Sequence, residues 1–219
     1  MDTIAPITVV VPVGPLPRHS EYLIECLESV RDQTVKPAEL LVIDNGAGVL
    51  ETGVFDCPCT AGLPVANVYR LRENIGISGG FNAGVEYAQN ELILFLASDD
   101  LLKPEAVRRS WQAWNHYGQK LGWYFLGVEY SNGFSQNTPC LAAMVSKELW
   151  RVAGPLAADG THTYPGCEVE YISRMILAHG RFGASYRVSD DVLYWHRIHT
   201  PGSVGMPGPQ GVPYEETPA

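Results

Sequence analysis

Two hydrophobic rhythms alternate along the first half of this chain. Short, mainly apolar runs recur at residues 7–12, 39–44, 65–71 and 92–97, each closed by a proline or a polar turn residue. Such runs are too short for a helix buried on all sides and are expected of strands covered on both faces, as in a parallel sheet. Between the runs the spacing shifts to three and four residues. Leu23, Cys26, Leu27 and Val30 share one face of a helical segment at 20–33, with Ser20 as its candidate cap. A glycine-rich turn at 74–84 leads into a helix through Ala88, and Pro104 opens another that reaches Gly118. Strand–helix alternation at this spacing predicts an α/β fold with a doubly wound, mostly parallel sheet.

The second half is more mixed. Strands are expected at 122–130, 139–145, 183–188 and 192–195, a short helix at 147–152 capped by Ser146, and a longer helix at 167–179 after a loop at 154–165. Residues 46–64 read as an irregular connection, and the tail after Gly202 is rich in glycine and proline.

The formal net charge of -9 excludes a basic nucleic-acid surface but not a phosphorylated small ligand. Five cysteines are scattered, and Cys57-Pro-Cys59 is spaced too closely for a zinc or thioredoxin motif. Reduced thiols are therefore expected. With no basic leader, no signal peptide and no transmembrane segment in the pattern, the expectation is a cytoplasmic protein.

Chemistry concentrates where strands end. Asp99 and Asp100 follow the run at 92–97, at the edge where open α/β sheets bind ligands. Adjacent carboxylates there suit a hard divalent cation completed by phosphates and water, or else cap the helix opened by Pro104. Asp44 and Asn45 end the second strand, placed either to read a base or ribose edge or to close an Asx-turn. The glycines at 76, 79, 80 and 84 let backbone approach an anionic ligand, or permit tight helix–sheet packing. Glu168 and Glu170 open the later helix. Glu168 shares its face with Val169, Ile172 and Met175, which raises its proton affinity as a general base requires, whereas Glu170 stands four residues before Arg174. His196 and His199 flank Arg197 out of phase, so only one is expected to face a pocket. The run Gly46-Ala-Gly48 lacks the third glycine of a dinucleotide fingerprint.

Taken together, these segments resemble family 2 glycosyltransferases of the GT-A fold over residues 5–203. The resemblance rests on Val-Val-Val-Pro12, Glu-Ser-Val-Arg-Asp-Gln-Thr34, Leu-Val-Ile-Asp-Asn-Gly46, Ala97-Ser-Asp-Asp100, Val-Ala-Gly154-Pro with Glu168, and Arg197-Ile-His199-Thr-Pro-Gly-Ser203. The segment Asn74-Ile-Gly-Ile-Ser-Gly-Gly-Phe-Asn82 is similar to the rhamnosyltransferase-like members. It departs from the family in Ala97 for the first acid of the aspartate motif, Cys167-Glu168 for an acidic pair, and Asn45 for a second aspartate.

The resemblance implies one GT-A domain at 1–203, with a nucleotide-binding half at 1–103, a smaller mixed acceptor half at 104–203, and a tail at 204–219. It implies that Pro12, Val13, Asp44, Asn45, Gly76, Gly79, Asn82, Ser98, Asp99 and Arg197 meet a nucleoside diphosphate sugar of the UDP or dTDP type. Asp99, Asp100 and His199 would hold Mn²⁺ or Mg²⁺, and Glu168 would be the base of an inverting transfer to a glycan, lipid-linked or protein acceptor. A homo-oligomer is left open. The rival readings are a non-catalytic sugar-nucleotide or glycan-binding module on the same fold, and a sugar-nucleotide pyrophosphorylase. The latter would want more than one base in residues 13–18.

Overall fold

The β-branched run nearest the start of the chain becomes the middle of the sheet's parallel half. In the computed structural model, which describes residues 4–15, 20–48, 58–118, 121–157, 174 and 185–199, β1 (Ile4–Val13) takes this place. It pairs in parallel with β2 (Lys36–Asp44), which in turn carries β3 (Ala66–Arg70) at the sheet's edge. On its other side β1 pairs in parallel with β4 (Leu92–Phe95). All four strands therefore point their carboxyl ends to one edge.

Beyond β4 the sheet turns mixed. The remaining strands are β5 (Leu101–Leu102), β6 (Trp123–Tyr130), β7 (Ser135–Gln136), β8 (Ala143–Ser146) and β9 (Ser185–His196). The order across the sheet is β3-β2-β1-β4-β8-β6-β9-β5, with β7 paired to β6 as a hairpin. β8 runs antiparallel to β4 and to β6, whereas β9 runs parallel to β6.

Successive residues of a strand face opposite layers, and here both layers are covered. Val9, Val11, Leu40 and Leu94 pack in one core with Leu23, Cys26, Leu27 and Val30 of α1 (Leu23–Arg31). Val10, Leu41, Ile43 and Phe95 pack in the other with Phe81 of α2 (Gly76–Tyr87). This two-sided burial is why the strands read as continuous apolar runs. Each fully buried Val, Leu or Ile stabilises the fold by roughly 1.5–3 kcal/mol relative to exposure. The described helices are completed by α3 (Ala106–Tyr117) and α4 (Lys147–Ala153), whose Ser146 cap accepts from the Leu149 N–H as expected. Gln33 fastens α1 to the start of α3: its amide donates to the Ser29 and Lys103 carbonyls, and its oxygen accepts from the Val107 N–H.

Several expectations are corrected. The glycine-rich stretch is itself helix, α2, and not a turn before one. Glycine's low helix propensity is overridden by packing: a Cβ on Gly84 would sit 2.1 Å from Val10 Cγ1, and one on Gly80 would sit 2.8 Å from Pro12 Cβ. The two late strands are one continuous strand, β9. Pro104 precedes α3 by two residues, because residues 104 and 105 form a turn before the helix begins. Tyr22, not Ser20, occupies the N-terminal flank of α1, with no side-chain cap. Cys59 is disulfide-bonded, against the expectation of reduced thiols, while Cys26 and Cys140 form no disulfide. Among the described residues no helix is long and apolar enough to cross a membrane.

Candidate active site

The carboxyl edge of the parallel strands is shaped by the turn that leaves β4. Leu96 still bonds to the Val10 carbonyl, and the Asp100 N–H then closes back on the Ala97 carbonyl at 3.2 Å. Tyr194 of β9 grips this turn from behind. Its hydroxyl accepts from the Ala97 N–H at 3.1 Å and donates to Asp100 Oδ2 at 2.7 Å. Cys26 adds a contact from α1 to the Ala97 carbonyl, and Ser98 is buried within the turn.

The two aspartates are not equivalent. Asp100 is 2% exposed, and both of its oxygens are engaged by protein. Beside Tyr194, His196 Nδ1 lies 2.9 Å from Oδ2, and the Arg197 N–H donates to Oδ1 at 2.9 Å. Burial pushes the proton affinity of Asp100 above the ordinary carboxylate value, with His196 opposing that shift. Burial and the same carboxylate push the Tyr194 hydroxyl well up, so it stays a donor. Asp99 is the more open of the two acids, its side chain 18% exposed, with Oδ2 2.8 Å from His199 Nε2.

Both histidines thus reach the aspartate pair, His199 to Asp99 and His196 to Asp100. Strand alternation had allotted the site only one of them. Alternation holds only within a strand, and β9 ends at His196, so His199 is free to swing to the same side. Arg197 between them is a clamp. Its Nε donates to the Asp99 carbonyl at 3.1 Å, its terminal nitrogen meets Glu25 at 2.7 Å, and its guanidinium lies 3.8 Å over Tyr22. Tyr194, Tyr22 and Glu25 are site residues that sequence reasoning passed over, with no signal to mark them. His196 was marked by its place one residue before the clamp, where it competed with His199 for a single place in the pocket.

At the β2 end, Asp44 forms the Asx-turn: Oδ1 accepts from the N–H groups of Ala47 and Gly48 at 2.8 and 3.0 Å. Arg70, across the β2–β3 pair, approaches Oδ2 at 3.5 Å. Asn45 is 2% exposed and uses both ends of its amide on the start of α2, accepting from the Ile75 N–H and donating to the Gly76 carbonyl, each at 2.9 Å. Its backbone N–H meets the Val13 carbonyl. Pro12, Val13, Asn45, Gly76 and Gly80 therefore converge on one corner, where Gly76 holds φ +75° at the helix start. Gly79 faces Ile75 of its own helix. Asn82, one turn further along α2, exchanges two 2.8 Å hydrogen bonds with the backbone of Leu156. Arg174 bonds the Ala153 and Pro155 carbonyls, and Glu168 and Glu170 lie outside the described residues. A separate cavity of about 380 Å³ lined by Lys103, Glu105, Glu129 and Asp191 holds none of these side chains, and Lys103 pairs with Glu129 across it at 2.9 Å.

This architecture can be set beside known proteins. The sequence profile of Glycosyl transferase family 2 matches residues 9–172, which run from within β1 through the aspartate turn to beyond the Glu168 position. The chain belongs to that family. The glycosyltransferase GlyG of Streptococcus pneumoniae serotype 4 (strain ATCC BAA-334 / TIGR4) is 30% identical over 109 residues, covering 48% of this chain and 34% of GlyG. The chain matches about a third or less of the length of its curated relatives. Among solved structures, S. aureus TarS 1-349 in complex with UDP-GlcNAc superposes with a TM-score of 0.68 at 16% identity, covering 89% of this chain and 59% of TarS. Mannosyltransferase PcManGT from Pyrobaculum calidifontis, in complex with GDP-Man and Mn²⁺, gives 0.63 at 15% identity, covering 90% and 57%. These likenesses show that the family member has the GT-A fold.

The donor set at the aspartate turn fits a divalent cation of the Mg²⁺ or Mn²⁺ type. Two neighbouring ligands at about 2.0–2.1 Å on an octahedral cation stand about 3 Å apart, close to the 2.8 Å hydrogen bond between Asp99 Oδ2 and His199 Nε2, which a cation would replace. Among the described residues no third histidine, cysteine or acid joins them into a closed cage. An open pair of this kind suits a cation whose other positions go to phosphate and water.

Proposed function

We propose that residues 1–203 form one catalytic domain that transfers a sugar, with inversion, from a nucleoside diphosphate sugar to an acceptor hydroxyl. The observation that carries this reading is the Asp99–His199 pair, held at the carboxyl edge of the parallel strands by Tyr194, His196 and Arg197. The UDP-GlcNAc and GDP-Man in the neighbouring structures support a nucleotide-sugar donor, and the Mn²⁺ supports a divalent cation.

In this reading the nucleoside lies over the corner of Pro12, Val13, Asp44 and Gly76, with Asn45 fastening that corner and Arg70 beside the base. A donor of the UDP or dTDP type is the reading of this corner, with Asn45 in place of a second aspartate leaving thymidine donors open beside uridine. Asp99 and His199 would hold Mn²⁺ or Mg²⁺, which supplies neutralisation of the departing diphosphate. Asp100 stays inside, fixing the turn so that Asp99 faces outward. Glu168 takes the proton of the acceptor hydroxyl as it attacks the anomeric carbon and the bond to the diphosphate breaks. A single displacement with one base inverts the anomeric centre, through an oxocarbenium-like transition state.

The test is a panel of nucleotide sugars incubated with the chain and Mn²⁺, read by thermal shift and by release of nucleoside diphosphate. A donor at a hundred times its dissociation constant adds about 2.7 kcal/mol of stability. Expected are a shift with one nucleoside class, slow donor hydrolysis, and loss of both in excess chelator. A stabilised protein that never releases diphosphate with any acceptor would identify a binding module and overturn the enzymatic reading. Activity undiminished by chelator would remove the cation from it.

A further inference from the structure

The hairpin joining β6 to β7 presents an aromatic ring to solvent. Phe134 is 54% exposed, the highest value among the described large hydrophobic side chains. The turn beneath it is rigid. The Gly133 N–H bonds to the Tyr130 carbonyl and the Tyr130 N–H to the Phe134 carbonyl, both at 2.8 Å, while the Phe134 N–H meets Asn132 Oδ1 at 3.0 Å. Gly133 adopts φ +85°, which completes the turn at low cost for a residue without Cβ. The hydrogen-bonded backbone presents the ring from a fixed base, so little main-chain freedom remains to be lost on binding.

The hairpin is also fastened to the active site. The Ser131 N–H donates to the His196 carbonyl at 2.9 Å, and the Ser131 hydroxyl accepts from the Ile198 N–H at 3.0 Å. The Phe134 ring lies 5.7 Å from that of Tyr130, which lies 5.2 Å from the ring of His196, itself hydrogen-bonded to Asp100. The strand order keeps this corner away from the nucleoside corner, with β1, β4 and β8 between β2 and β6.

We propose that Phe134 is the stacking platform of an acceptor subsite that takes a pyranose ring. The inference rests on the transferase reading. Residues 130–137 carry no charge, and residues with hydroxyls and amides (Ser131, Asn132, Ser135, Gln136) flank Phe134 along the chain. A pyranose presents a C–H face to stack on an aromatic and a rim of hydroxyls to meet such groups. One aromatic ring is far smaller than the roughly 800 Å² per side that a stable protein interface buries. An uncharged hairpin also lacks the Lys and Arg clusters that draw a protein to anionic lipid.

The experiment uses the full chain with methyl glycosides of glucose, galactose, N-acetylglucosamine and rhamnose, observed by saturation-transfer NMR. Expected is saturation of the ring C–H protons of at least one glycoside, lost in Phe134→Ala and retained in Phe134→Trp. Binding of UDP or dTDP with Mn²⁺ should be equal in all three proteins. With that glycoside as acceptor, Phe134→Ala should raise the acceptor KM by about 2- to 12-fold, the worth of one aromatic contact, and leave donor hydrolysis unchanged. No saturation with any glycoside, or equal saturation in Phe134→Ala, overturns the subsite. If nucleotide sugars are turned over while Phe134→Ala behaves as the parent, the subsite falls and the transferase stands. If glycoside binding depends on Phe134 but no nucleotide sugar binds, the transferase reading falls instead.

Discussion

Asn82 of α2 and Leu156 beyond α4 are joined by two 2.8 Å hydrogen bonds, one to each end of the same amide. The pair ties the helix of the nucleoside corner to the segment that runs on toward Glu168. Asn82→Ala is expected to cost about 1–3 kcal/mol by leaving the Leu156 backbone without these partners. It should lower turnover more than donor affinity. Urea unfolding beside calorimetry with nucleoside diphosphate checks this, and an equal loss of both would place Asn82 against the donor itself.

Asp99 and Asp100 should separate on substitution. Asp99→Asn is expected to leave the melting temperature near that of the parent while abolishing Mn²⁺-dependent binding of nucleoside diphosphate. Asp100→Ala strips partners from Tyr194, His196 and the Arg197 N–H at once, and should destabilise the fold by about 2–4 kcal/mol. Thermal unfolding and calorimetry on both variants decide it. The opposite pattern would exchange the two roles.

For the base, Glu168→Gln keeps the side chain's shape and removes its basic oxygen. Turnover is expected to fall by about 10²–10⁴-fold with donor affinity unchanged. Glu170→Gln should stay active. A dead Glu170→Gln beside a live Glu168→Gln would move the base two residues along the chain.

Gly84→Ala probes packing without touching any ligand group. Its Cβ would meet Val10 Cγ1 at 2.1 Å, so the helix must shift off β1, at about 1–3 kcal/mol. Gly76→Ala meets no neighbour within 4 Å and suffers only its φ of +75°, about 1–2 kcal/mol. Chemical denaturation of both should show losses of this order, and a neutral Gly84→Ala would contradict the packing described for α2.

The parallel half of the fold was readable because residues of β1, β2 and β4 are buried on both faces, which leaves a short apolar run as an unambiguous mark. The same logic led to Asp99 and Asp100, since the end of such a run is the ligand edge. It could not rank them. Adjacent carboxylates look alike in sequence, and only the turn closed by Asp100 on Ala97 sends one inward and the other out. Asn45 looked equally fit for a nucleoside or a turn until both ends of its amide were seen on residues 75 and 76. The early start of α2, though not its end, was hidden by glycines such as Gly84, whose value lies in a neighbour, Val10, far away in sequence. β5, with two residues, is below any periodic signal, yet it seats β9 beside the aspartates.

The clamp on the aspartate turn comes from the last described strand, and 97 residues separate Asp100 from Arg197. On a ribosome adding about 5–20 residues per second, that gap is roughly 5–20 s of synthesis. Through this interval the nascent chain carries both carboxylates before the hydroxyl, imidazoles and guanidinium that order them have been made. Until β8 arrives, β4 is also an open edge. Order at the site thus waits on late synthesis: a product released before Ser185 has the four parallel strands and the Ala97–Asp100 turn, but lacks the Tyr194, His196 and Arg197 contacts that hold Asp100 inside.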